Sequence, residues 1–148
     1  MAILALVLGT VANLVPSRHI AWWGKGLEPP RSGVDYTVLD PVSADALRTS
    51  LPAVVLLDTR SPEEYRAARI PGARPISFAR VNLELNASMM EELRRSDAVV
   101  LYGSSTETDI EQLLAQQLKQ KGLAKPYVLM GGFPGWQAAG LPEESDAR

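Results

Sequence analysis

The 148-residue sequence contains no cysteine. That excludes disulfides, thiolate metal sites, iron–sulfur clusters and any thiol nucleophile carried by this chain. A single histidine, His19, excludes most histidine-based metal sites and makes any Ser-His-Asp arrangement depend on one residue. A metal site is therefore not expected, and the chain is read as carrying no cofactor. A basic surplus is also missing: 15 Lys and Arg stand against 17 Asp and Glu, a net charge of −2. A general nucleic-acid surface needs the opposite balance, so nucleic acid is not an expected partner. Aromatics are scarce at 6%, yet 46% of residues are hydrophobic and 22% are charged. Such a chain can bury a core and is not disordered by composition. Its length suits about one domain. There is no internal repeat and no low-complexity tract.

Long hydrophobic runs are also few. The one present, residues 2–15, is apolar all round a helical wheel, which a surface helix is not. As a helix it spans about 21 Å, short of the roughly 30 Å hydrocarbon core of a bilayer. Extension through Ile20, Trp22 and Trp23 gives the length, but Pro16, Arg18 and His19 interrupt it. Two readings compete. One is a membrane anchor with Trp22 and Trp23 at the interface; the other is a helix buried in a partner protein or in a homo-oligomer. A secretory signal fits less well, since no Lys or Arg precedes the run and no Ala-x-Ala site follows it. As an anchor, it is followed by Arg18, Lys25 and Arg31 with only Glu28 against them, which leaves the rest of the chain on the cytoplasmic side. Without an anchor the expectation is a cytoplasmic protein. The organisation expected is an apolar N-terminal helix over 1–23, a Gly- and Pro-rich linker over 24–34, a domain over 35–142 and a polar, fraying tail over 143–148.

Within the domain, strand and helix signals alternate. Strands are expected at 36–39, 54–57, 75–78, 98–102 and 127–130, the apolar runs at 54–57 and 98–102 being those of strands buried on both faces. Helices are expected from Ser43, over 61–68, 88–95 and 108–121, and around Trp136. Ser61, Pro62 and Glu64 form a capping-box signature. Ile110, Leu113, Leu114 and Leu118 lie at helical spacing, and Thr108 with Glu111 fits a second capping box. Alternation of this kind means an α/β domain with a mainly parallel sheet, whose ligand site lies beyond the carboxyl ends of the strands. Three loops compete for that place: Asp58-Thr59-Arg60, residues 103–109 and residues 131–135. Gly131, Gly132 and Gly135 lack the lysine and the long glycine spacing of a phosphate loop, so they read as a tight turn. Glu63, Glu64, Arg66 and Arg69 read as a solvated helix face, Trp136 as core, and one of Met89 and Met90 as packing.

Three segments carry a resemblance. Leu57-Asp58-Thr59-Arg60-Ser61-Pro62-Glu63-Glu64-Tyr65, followed by Ile70-Pro71-Gly72-Ala73, resembles the front signature of rhodanese-like domains. Leu129-Met130-Gly131-Gly132-Phe133, with Trp136 and Ala139-Gly140-Leu141-Pro142, resembles their closing signature. Between them the strand Val99 to Tyr102 ends where that family places its active-site loop. The resemblance covers about residues 36–142. It implies a five-stranded, mainly parallel sheet flanked by helices on both faces. It also implies ancestry among sulfurtransferases that carry sulfur as a cysteine persulfide, whose relatives include phosphatases and non-catalytic partner modules.

The resemblance puts the nucleophile directly after Tyr102, and this chain has Gly103 there. The loop continues Ser104-Ser105-Thr106-Glu107-Thr108-Asp109, hydroxyl-rich and then acidic. Where the family has Gly-His before Ile-Pro-Gly-Ala, Ala68-Arg69 stands here. A persulfide is an anion and needs donors, whereas Glu107, Asp109 and Glu111 repel it. These carboxylates read as caps on the following helix. Asp58 and Arg60 read as braces of the neighbouring loop. The residues thus favour a catalytically inactive rhodanese-like module that binds or regulates a protein partner, with membrane contact through residues 2–23. Two further readings stand beside it: a hydrolase or anion-binding protein using Ser104 or Ser105, and the non-thiol subunit of a sulfurtransferase assembly.

Overall fold

The computed structural model describes residues 36–104, 109–123 and 126–146. The expected N-terminal helix, its membrane or oligomer contact and the linker lie outside the described residues. In chain order the elements are β1 (Thr37–Leu39), α1 (Pro41–Ser50), β2 (Val54–Asp58), α2 (Pro62–Ala67), β3 (Arg74–Pro75), a 3-10 turn (Phe78–Arg80), α3 (Val81–Glu84), α4 (Ala87–Arg95), β4 (Ala98–Tyr102), α5 (Asp109–Gln120), β5 (Pro126–Leu129) and α6 (Gly132–Ala138). The strands form one sheet in the order β1-β5-β4-β2-β3, and every pairing is parallel. This is the five-stranded α/β sheet expected from the resemblance.

Side chains alternate along each strand, so β4 feeds two cores. Val99 and Leu101 point into a cluster with Leu93 of α4 and Leu114, Ala115 and Leu118 of α5. Val100 and Tyr102 point the other way, to Ala44 of α1 and to Phe133 and Trp136 of α6. All five residues of β4 are buried, as its unbroken apolar run requires of a central parallel strand. Trp136 is fully buried, and its indole N–H donates to the Pro142 carbonyl at 2.8 Å. Met90 is buried, while Met89 is partly buried against the same core.

Local signals set the helix starts. Ser61 and Glu64 form the reciprocal capping box, each side chain accepting from the other's backbone N–H. The first helix differs from expectation: it begins at Pro41, not Ser43. Asp40 is its cap and accepts from the Ser43 amide at 3.0 Å and the Ser43 hydroxyl at 2.6 Å, and Pro41 suits the first turn. The expected strand at 75–78 is confined to Arg74–Pro75, because the chain turns into the 3-10 segment at Phe78.

Three expectations are corrected by packing. The buried face of α5 is Glu111, Leu114, Ala115 and Leu118, while Ile110 and Leu113 are exposed. The helix is therefore rotated relative to its apparent apolar stripe. The tail does not fray as far as Asp146: Glu144 pairs with Arg69 through both backbone groups, at 2.8 and 2.9 Å, and the Asp146 amide donates to the Arg66 carbonyl at 3.0 Å. Arg69 is not on a solvated face. Its guanidinium reaches Glu144 at 2.7 Å and Asp146 at 2.8 Å and lies over the Tyr65 ring. Among the described residues no helix is long and apolar enough to cross a membrane.

Candidate functional site

The site is assembled where β2, β4 and β5 end. The Thr59 amide donates to the Tyr102 carbonyl at 2.9 Å, tying the chain after β2 to the end of β4. The Phe133 amide donates to the Gly103 carbonyl at 2.8 Å, tying α6 to the start of the next loop. The loops after β2 and β5 thus meet the chain at the end of β4, at Tyr102 and Gly103. The loop after β5 is a tight turn: Gly131 and Gly132 have φ of +74° and +56°, a region open to glycine, and the chain packs so closely that a Cβ at Gly135 would lie 2.9 Å from the Met130 carbonyl.

Asp58 and Arg60 meet on the α6 side of the sheet. The Asp58 carboxylate takes the Arg60 guanidinium as a fork, with Nε–Oδ1 at 2.9 Å and Nη2–Oδ2 at 2.6 Å, and it also accepts from the Arg60 amide at 3.0 Å. Arg60 Nη2 also donates to the Ala68 carbonyl at 2.6 Å. The guanidinium lies 3.9 Å from the centre of the Phe133 ring. Both side chains are almost wholly removed from water. Burial works against the Arg60 charge, but Asp58 outweighs it and holds the guanidinium pKa above its usual value. Tyr102, beside Asp58 in the register, is pushed far above the usual phenol range by burial and then by the Asp58 charge. All of the described Arg60 contacts are internal to the fold.

Gly103 continues the alternation of β4 and faces α5. A Cβ there would lie 2.7 Å from Glu111 Cδ and 2.9 Å from Thr59 Oγ1, closer than non-bonded atoms approach. The space belongs to the Glu111 side chain, which is buried and whose Oε1 accepts from the Thr59 hydroxyl. Glu111 therefore does not act as an outward cap on α5; its carboxylate points in. Position fixes this, since Glu111 shares the phase of Leu114, Ala115 and Leu118 on the buried face.

Ser104 is exposed. The Glu64 carboxyl is held below its usual range, first by the Ser61 hydroxyl and amide, with a smaller contribution from the Ser104 hydroxyl. Ser105, Thr106, Glu107 and Thr108 lie outside the described residues, and the backbone of Asp109 opens α5. Sequence reasoning placed Thr59 and Phe133 in the competing loops and Glu111 beside them as a cap, but gave none of the three its contact in the site. Glu111 carried a legible signal, a carboxylate in phase with buried leucines. Thr59 and Phe133 carried none, because they contribute a hydroxyl or an amide through position alone. Among the described residues no group of three or more His, Asp or Glu could hold a metal ion.

The comparisons concern the family and the fold. A family model described as a rhodanese-like domain matches residues 43–139. A thiosulfate sulfurtransferase, GlpE, of Pseudoalteromonas translucida is 31% identical over 86 residues, which is 58% of this chain and 75% of that protein. A tRNA sulfurtransferase of Desulfurococcus amylolyticus is 37% identical over 84 residues, 57% of this chain but only 15% of that protein. Among solved structures, a Rhodopseudomonas palustris protein of unknown function, described as a possible tyrosine phosphatase, superposes with a TM-score of 0.63 at 25% identity, covering 74% of this chain and 85% of its own. A thiosulfate sulfurtransferase of Pseudomonas aeruginosa gives 0.59 at 25% identity, covering 76% of this chain and 20% of its own.

Proposed function

The chain belongs to the family of rhodanese-like domains, and from that premise we propose that it is a non-catalytic member, a binding or regulatory module that meets a protein partner with the face where its relatives would carry out sulfur transfer. One observation carries the reading. The position after β4, to which the family resemblance assigns the nucleophile, is a glycine whose side-chain space is filled by the carboxylate of Glu111. No cysteine elsewhere in the chain supplies the thiol.

The rest of the face suits contact better than chemistry. Val42 in the first turn of α1, Ile110 in the first turn of α5 and Met130 after β5 are all exposed at the carboxyl end of the sheet. They give a partner apolar footholds around the loop over 103–109. The hydrolase reading finds less support. Ser104 is exposed, but the carboxylate beside it, Glu64, already accepts from the Ser61 amide at 3.1 Å and serves its helix. We propose further that residues 2–23 hold the protein at a membrane.

Two experiments test the function. Purified full-length protein is offered thiosulfate with cyanide, and separately an aryl phosphate and an aryl ester. No turnover above background is expected, and robust turnover of any of the three overturns the reading. In affinity capture, a partner retained by the full chain and by a chain beginning at Val34 is expected to be lost when Glu107, Thr108 and Asp109 are all changed to Ala. Retention by that triple variant removes the face from the binding role. Co-flotation with vesicles by the full chain and not by the shorter one is the expected membrane result.

A further inference from the structure

The non-catalytic reading leaves one buried group without a role, the carboxylate of Glu111. We propose that Glu111 is an internal plug: it occupies the space that a side chain at position 103 would need, so Gly103 and Glu111 form a mutually dependent pair, and the site admits a thiol only when both are changed. The inference rests on the family reading, which assigns position 103 to the nucleophile.

The geometry supports the pair from both sides. Glu111 is 4% exposed and holds the Thr59 hydroxyl, 52 residues away in sequence. The backbone of Gly103 is anchored: Tyr102 before it is fully buried, and its own carbonyl accepts from the Phe133 amide at 2.8 Å. A Cβ at 103 overlaps the end of the Glu111 side chain and also sits 2.9 Å from Thr59 Oγ1. A side chain at 103 therefore requires the end of the Glu111 side chain to leave its present place beside the Thr59 hydroxyl.

The absence of native cysteine makes the test clean, because a cysteine introduced at 103 is the only thiol in the chain. The full-length variants are Gly103→Cys, Glu111→Ala, and Gly103→Cys combined with Glu111→Ala or with Glu111→Gln. Alkylation by uncharged iodoacetamide is read under native conditions, and stability by the urea midpoint. Native alkylation is expected to be at least about tenfold faster in the double variant carrying Glu111→Ala than in Gly103→Cys alone, because the thiol then opens onto vacated space. In the double variant carrying Glu111→Gln, where the bulk is unchanged, it stays slow. Gly103→Cys is expected to lower the midpoint when Glu111 is present and to lower it far less when Glu111→Ala has already been made. Equal alkylation rates with and without Glu111→Ala, or a Glu111→Gln double variant as reactive as the Glu111→Ala one, overturn the plug. If the cysteine variants do not fold, Gly103→Ala in the two backgrounds carries the comparison: strictly additive losses overturn the pair, and a loss suppressed by Glu111→Ala supports it. Turnover by the wild-type chain would overturn the proposed function without touching this coupling, so the two failures are distinguishable.

Discussion

Two buried carboxylates stand at the ends of neighbouring strands, on opposite faces of one sheet. Asp58, the last residue of β2, faces α6 and is matched by the forked guanidinium of Arg60, itself held by the Ala68 carbonyl and the Phe133 ring. Glu111, from α5, faces the end of β4 and is met among the described residues by the hydroxyl of Thr59. The first arrangement spans two residues in sequence and uses an ion pair; the second spans 52 and uses a vacancy left by a glycine. The comparison separates scaffold from site. The Asp58–Arg60 pair is a local ion pair that does not involve position 103. The Gly103–Glu111 contact exists only because position 103 has no side chain.

The largest effect should come from breaking the first arrangement. Arg60→Ala leaves Asp58 buried without a counter-charge and is expected to cost about 3–5 kcal/mol in urea unfolding. Arg60→Lys, which keeps the charge but not the fork, should fall between that variant and wild type. A loss no larger than that of ordinary surface substitutions would mean that the pair is not the loop's brace. Next comes the second arrangement: Gly103→Ala should cost about 1–3 kcal/mol as an overpacking change, and most of that should vanish in a Glu111→Ala background. A smaller effect belongs to a feature outside both. Ser61→Ala removes the cap of α2 and should cost about 1 kcal/mol by the same measurement. The smallest is Arg69→Ala. Its partners Glu144 and Asp146 are about half exposed, so solvent screens the pairs and less than about 1 kcal/mol is expected. The amides of Glu144 and Asp146 should nevertheless exchange hydrogen much faster, because the tail loses its anchor.

Titration sharpens the comparison from both ends of the pH scale. Burial pushes the Asp40 carboxyl up, but the Ser43 hydroxyl and amide outweigh it and hold it below 3.8; hydrogen bonding to Ser61 holds Glu64 below 4.5. Their contribution is therefore present above those unfolded values and is lost as the pH falls through the folded ones. Tyr102 works in the opposite sense. Its folded value is raised from 10.0 by burial and by Asp58, so its contribution is present below pH 10 and is lost as the pH rises beyond it. The urea midpoint should decline at both extremes, and Tyr102→Phe should flatten the alkaline decline. An unchanged alkaline branch in that variant would remove Tyr102 from the account.

Much of the fold was legible because it is written locally. The capping box needs only Ser61, Pro62 and Glu64, and the central strand needs only an unbroken apolar run from Ala98 to Tyr102. Errors arose where a nearer cap competed or where distant residues decided. Asp40 captured the start of α1 before Ser43 could. The apparent apolar stripe of α5 misjudged its rotation, because Glu111 had an inward partner and Ile110 and Leu113 did not need one. Arg69 looked like part of a charged helix face until the tail returned to it.

The sequence by itself determined the α/β alternation, the family signatures and the absence of cysteine, since each depends on residue type or on spacing within a few residues. Tertiary structure alone decided what fills the space beside Gly103. Only when β2, β4 and α5 pack together do Thr59, Gly103 and Glu111 converge. A close-packed interior then requires that the space a glycine leaves be filled by whichever side chain the neighbouring helix presents.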